Sequence, residues 1–234
     1  MTTIKKDKML LKCLPSFLNK NLTIYLLDQG KITPEKAELY KALEMQRHHI
    51  FTIESDIGLS AARNFLIHHI IEPFFFIVDD DVELKSNPEE ILYHFNNPCI
   101  GIIGGMLFNV AKNKEHHYEY ALEIKNNKLW LKNSKNIDLV LNFFIARKEV
   151  WNDIKWDEEL KMVEHADYFL RLKQLNKWKV IYDPILFGNH YSYEFRTQEY
   201  KSFRRLKFGK YLKLFHRKWN IYGTEREKWI KMQP

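Results

Sequence analysis

The chain has 234 residues, 45% hydrophobic and 15% aromatic, enough to bury a sizeable core and too apolar for a disordered chain. Lys and Arg number 37 against 30 Asp and Glu, a formal net charge of +7. The partners this charge favours are polyanions or phosphorylated ligands, and its sign alone does not choose among nucleic acid, anionic lipid and a small phosphorylated molecule.

Only Cys13 and Cys99 could form a disulfide, and both sit in apolar contexts without zinc spacing. That pattern reads as two buried free thiols in a reducing compartment. No stretch approaches the ~20 apolar residues of a membrane span, and the N-terminus lacks an export signal. A cytoplasmic protein, at most peripheral on the membrane, is expected.

In chain order, Leu10, Leu11, Leu14, Phe17 and Leu18 follow helical spacing, interrupted by Pro15, which must kink or delay the helix. "LTIYLLDQG" reads as a buried strand closing on Asp28. Thr33 and Pro34 form an N-cap and first-turn pair for the next helix, and "HIFTIE" is a strand. In "DIGLSAARNFLIHHII", Ser60 is placed to cap a helix with Leu66, Ile67 and Ile70 on its apolar face.

"FFFIVDDDVEL" follows, an apolar run ending in Asp79, Asp80 and Asp81. The acids form either a solvated turn or a site for a hard divalent cation, which takes carboxylate oxygens together with substrate phosphates. Alternating helices and strands predict a parallel sheet covered by helices, with ligands at the carboxyl ends of strands, where Asp28 and the acidic triplet both fall.

Beyond a helix opened by Pro88, "CIGIIGGMLF" is a strand in which Gly104 and Gly105 permit a ligand's approach or a bend. "YEYALEIKNNKLWLK" alternates and turns at Asn126 and Asn127, a hairpin expected at a sheet edge. "NFFIARKEVWNDIKWDEELKMVEHADYFLRLKQ" leads to a helix starting near Glu164, with Phe169 and Leu172 inward. Glu164 and Asp167 there are either functional acids or favourable charges at a helix N-terminus.

The motifs "GLSAARN", "FFIVDDDV", "NFFIARKEVW" and "WDEELKMVEHADYFLRL", in this order, resemble family-2-like inverting glycosyltransferases of the nucleotide-diphosphosugar transferase fold. Among these the β1,4-N-acetylgalactosaminyltransferase type is nearest in motif. The resemblance implies a Rossmann-like GT-A α/β fold with a mostly parallel central sheet, an edge hairpin and a C-terminal helical tail. Residues 1–195 would form the transferase domain, with the nucleotide half about 1–98 and the acceptor half about 99–195. Residues 196–234 would be a basic aromatic extension.

By the same resemblance, Asp28 and Arg63 hold the uracil of a UDP-sugar, Asp79 and Asp80 belong to the donor-binding set, and Asp81 binds Mn²⁺ or Mg²⁺. His190 is a second candidate metal ligand. Where the wider family carries a Glu-Asp pair this chain has Glu164 and His165, so His165 is the candidate base, Asp167 a competing one and Glu164 an acceptor-binding carboxylate. The resemblance implies a full first strand before Lys5 and Lys6, where this sequence offers "MTTI".

The tail "YKSFRRLKFGKYLKLFHRKW" interleaves cations with aromatics, suited either to an anionic membrane surface or to packing its aromatic face on the core. The expected acceptor is a hydroxyl of a growing surface glycan. A nucleotidyltransferase would want a Gly-rich phosphate loop, and none is visible. A nucleic-acid-binding protein suits the charge but leaves the acidic triplet unexplained, so no nucleic-acid partner is expected.

Overall fold

A computed structural model describes residues 1–4, 6–110, 114–116, 121–125, 128–132, 137–191 and 198–220. The first half alternates helices and strands as the apolar spacing requires. A two-residue strand β1 (Thr2–Thr3) precedes α1 (Asp7–Cys13) and α2 (Pro15–Leu18), with the break at Pro15, where the missing N–H ends the first helix. Strand β2 (Tyr25–Asp28) is followed by α3 (Pro34–Met45), whose N-cap Thr33 accepts the Lys36 N–H, and by β3 (His49–Thr52). Strands β1, β2 and β3 form a parallel sheet in that order, Thr3 lying beside Asp28.

Helix α4 (Leu59–His69) leads to β4 (Phe74–Val78) and β5 (Val82–Leu84), and a 3-10 helix (Pro88–Asn96) to β6 (Ile100–Asn109). Ser60 does not cap α4. Gly58 takes that position with φ 88°, a backbone state open to glycine, and the Ser60 hydroxyl donates instead to the Leu160 carbonyl at 2.6 Å. Then follow β7 (Lys114–His116), β8 (Ala121–Lys125), β9 (Lys128–Lys132), β10 (Phe143–Arg147) and α5 (Lys148–Asp153). Helix α6 (Glu164–Leu175), β11 (Lys179–His190) and α7 (Gln198–Lys218) complete the chain.

The second sheet is mixed. It runs β4-β10-β6-β11-β5, with β7 beside β6, and among the described residues only β6 and β11 pair in parallel. Parallel pairing thus dominates the first sheet but not this one. The hairpin forms as β8 against β9, Lys125 opposite Lys128, as a separate two-stranded sheet; its turn residues Asn126 and Asn127 lie outside the described residues.

Gly104 and Gly105 serve packing rather than a ligand. A Cβ on Gly105 would stand 2.5 Å from the Leu186 carbonyl oxygen, and one on Gly104 would stand 2.4 Å from the Val140 side chain. Of the cysteines only Cys13 is buried; Cys99 is exposed, because burial begins at the next residue, where β6 starts.

The main core joins Leu10, Leu14 and Phe17 to Leu26, Val78, Ile103 and Phe143, and lies under the ends of β2 and β4. The described part of the tail packs inward. Phe215 is buried among Leu160, Val163, Ala166 and Leu170, with Phe208, Leu212 and Trp219 around it, so its aromatic face is spent on α6. Several tail side chains, including Phe203, Arg204 and Arg205, lie outside the described residues. No helix among the described residues is long and apolar enough to cross a membrane.

Candidate active site

Strand β4 is apolar because it packs between core layers, so its carboxyl end is where the chain can turn polar. The three acids there go different ways. The Asp79 side chain keeps 35% of its surface and meets Arg63 Nη2 at 3.5 Å and Asn142 Nδ2 at 3.4 Å. Asn142 comes within reach because β10 runs antiparallel to β4 with Phe143 opposite Val78.

Asp80 and Asp81 turn inward and are both buried. Lys6 Nζ bridges them, 2.8 Å from Asp80 Oδ1 and 2.8 Å from Asp81 Oδ2, while the Thr3 hydroxyl donates to Asp80 Oδ2 at 2.7 Å. Burial and the neighbouring Asp81 push the Asp80 carboxyl up to about 6 against the pull of Lys6. Burial also opposes ionisation of Asp81, but the Lys6 ammonium and His190 outweigh it and hold that carboxyl below the usual range.

Asp81 Oδ1 is buried without a hydrogen-bond partner, and His190 Nε2 stands 3.5 Å away. The antiparallel pairing of β11 with β5, His190 opposite Val82, sets that imidazole there. A buried carboxylate oxygen that lacks a hydrogen bond and faces a ring nitrogen is a donor set that fits a hard divalent ion, since Mg²⁺ sites commonly use one or two protein ligands and leave the rest to water and phosphate. Among the described residues no three His, Cys, Asp or Glu side chains converge into a fuller cage.

Helix α4 builds the other wall. Asn64 donates to the Trp156 carbonyl and to Glu158, both at 2.9 Å, and accepts from Trp156 N at 3.0 Å and Trp151 Nε1 at 3.2 Å. With Ser60 on Leu160, these bonds fix the segment that enters α6. Arg63, only 3% exposed in its side chain, donates from Nη1 to Glu164 Oε1 at 2.9 Å. Val163, the residue before that glutamate, has φ 65°, a costly left-handed state for a β-branched residue, stored beside the candidate site.

His165 Nε2 lies 2.5 Å from the Val140 carbonyl oxygen. A carbonyl can only accept, so Nε2 carries the proton and Nδ1 the lone pair, and Nδ1 is enclosed without a partner. Burial, and then the charge of Arg63, lower this imidazole to about 4, against a slight rise from the Val140 hydrogen bond and Asp79. The ring is therefore neutral at pH 7, though a weaker base than an ordinary histidine.

Two expected site residues are engaged elsewhere. Asp28 is 0% exposed: Oδ1 accepts from Gly30 N at 2.9 Å, and Oδ2 meets the Tyr40 hydroxyl at 2.7 Å and Lys36 Nζ at 2.9 Å. Both of its oxygens are thereby engaged within the β2–α3 region. Asp167 is also 0% exposed, holding Arg171 Nε at 2.8 Å, Trp219 Nε1 at 2.9 Å and Lys218 Nζ at 2.8 Å. Its oxygens tie α7 to α6, which argues against a base.

The residues whose site contacts the sequence did not single out are Lys6, Thr3 and Asn142, the last of them the opening residue of the motif "NFFIARKEVW". Lys6 sits in a run of lysines that reads as solvated, 74 and 75 positions from its two partners. Only strand pairing reveals Asn142.

Residues 1–160 match the family described as Glycosyl transferase family 2. No curated protein matches the chain. Among solved structures, S. aureus TarS 1-349 superposes with a TM-score of 0.61 at 17% identity, covering 82% of this chain and 59% of that one. GalNAc-T7 with UDP, GalNAc and Mn²⁺ gives 0.62 at 12% identity, covering 87% of this chain and 47% of that one. A mannosyltransferase from Pyrobaculum calidifontis with GDP-Man and Mn²⁺ gives 0.59 at 10% identity, covering 87% and 58%. The chain thus spans about half to three-fifths of these structures, and the likeness concerns the fold.

Proposed function

The chain belongs to glycosyl transferase family 2, and from that premise we propose that it is a metal-dependent inverting glycosyltransferase. It moves a sugar, N-acetylgalactosamine or a related hexose, from a UDP-sugar to a hydroxyl of a surface glycan. The observation that carries this reading is Asp81 Oδ1, buried without a hydrogen bond and with only the His190 imidazole 3.5 Å away, at the carboxyl end of β4 next to the Arg63, Glu164 and Asp79 network.

Asp81 and His190 would hold Mn²⁺ or Mg²⁺, which when bound supplies charge stabilisation to the departing diphosphate. Asp79, the one acid of the triplet with open surface, contacts the donor's ribose side, and Arg63 borders the nucleotide. Asp28 ties the end of β2 to α3 through Lys36 and Tyr40 rather than offering a free carboxylate.

His165 is assigned as the base, with its lone pair at Nδ1 because Nε2 donates to Val140; Nδ1 is enclosed, so the acceptor reaches it only if the wall around the ring opens. Glu164, oriented by Arg63, binds the acceptor. In this division residues 1–98 carry the nucleotide side and residues 99–195 the acceptor side.

A panel of UDP- and GDP-sugars assayed for nucleoside diphosphate release, with Mn²⁺ and with chelator, tests the reading. Release from a UDP-sugar that stops on chelation is expected. Release from none of them, or release indifferent to chelator, would overturn it. The GDP arm matters because one structural neighbour carries GDP-Man.

A further inference from the structure

The buried acidic pair that includes the candidate metal ligand Asp81 already has a cation. Lys6 Nζ lies 2.8 Å from one oxygen of Asp80 and 2.8 Å from one oxygen of Asp81, its side chain only 14% exposed. Two buried adjacent carboxylates repel each other, and an ammonium between them removes most of that cost. Resting on the metal reading above, we propose that Lys6 is a built-in counter-ion that competes with the divalent ion for Asp81, so that metal entry displaces its ammonium from the carboxylate pair.

The geometry is specific. Lys6 takes Asp81 Oδ2, leaving Oδ1 toward His190, so the two cations would share one carboxylate at close range. A doubly charged ion on Oδ1 repels the ammonium and draws on the same carboxylate, which loosens the Lys6 bridge. Coupling of this kind is reciprocal: whatever Lys6 takes from metal affinity, metal takes from the Lys6 contact. The lysine keeps the cluster folded and neutralised until metal and diphosphate arrive together.

The test titrates Mn²⁺ into wild type, Lys6→Met and Lys6→Arg proteins, with and without UDP, following free Mn²⁺ by electron paramagnetic resonance and stability by thermal melting. Lys6→Met should bind Mn²⁺ about tenfold more tightly, within the ~5–150-fold span of ordinary coupling. It should melt below wild type in chelator and recover in Mn²⁺, while Lys6→Arg stays near wild type in both. In the wild type itself, acetylation of Lys6 by an amine reagent should rise several-fold when Mn²⁺ and UDP are added, a readout independent of any variant's folding.

Equal or weaker Mn²⁺ binding by a folded Lys6→Met protein, or Lys6 acetylation indifferent to Mn²⁺, would overturn the proposal. Metal-dependent UDP binding that survives alongside those results would leave the metal reading standing. Absence of Mn²⁺ binding in wild type and Lys6→Met alike would sink both.

Discussion

Replacing Asn64 by Ala tests whether α4 is the strut that holds the entry to α6. Its amide makes four hydrogen bonds, and three of the partner atoms belong to the buried Trp151 and Trp156. The substitution strands the Trp156 N–H, the Trp156 carbonyl and the Trp151 indole N–H in the interior, while water replaces Asn64 at the exposed Glu158. At ~1–3 kcal/mol for each buried group left unpaired, and with partial relaxation, the loss should be about 3–5 kcal/mol. Ser60→Ala, which removes one bond to Leu160, should cost only about 1 kcal/mol. Urea unfolding followed by tryptophan fluorescence measures both, the midpoints moving while the slope stays constant. An Asn64→Ala protein within about 1 kcal/mol of wild type would refute the strut.

His165 should titrate near pH 4 by NMR of its ring protons; a value near 6.5 would remove the burial by which it is kept neutral. Because its folded value is lowered, the unfolded chain binds a proton at this group between about 6.5 and 4 where the folded chain does not, so its contribution to stability falls as pH drops through that window. Trp219→Phe, which takes one donor from the fully buried Asp167, should lower stability by ~1.5–3 kcal/mol in thermal melts, and an unchanged melt would separate α7 from α6. Gly105→Ala should cost about 1–3 kcal/mol, since the added methyl meets the Leu186 carbonyl oxygen. A neutral result there would restore the glycine to a role in ligand approach.

What was legible in the sequence was local. Thr33 before Pro34, the break at Pro15, the apolar run into Asp79 and the start of α6 at Glu164 each follow from residues within a few positions, and each stands in the structure as read. The site's wiring is not local. His190 reaches Asp81 because β11 pairs back onto β5, and Asp167 is claimed by Trp219 from 52 positions away. Ser60 looked like a cap because hydroxyls favour helix starts, yet Gly58 can take a positive φ and frees Ser60 for Leu160. The departure of the second half from simple α/β order is legible, but the pairing that makes its sheet mixed is not, because antiparallel returns such as β10 against β4 join residues far apart in the chain.

Calorimetric titration of UDP into wild-type and Asp81→Asn proteins, with Mn²⁺ and then with chelator, tests the central claim most directly. The metal-site reading predicts UDP binding by the wild type that requires Mn²⁺ and is lost in a folded Asp81→Asn protein. Undiminished, Mn²⁺-dependent UDP binding by that variant, or wild-type binding that ignores chelator, would contradict it.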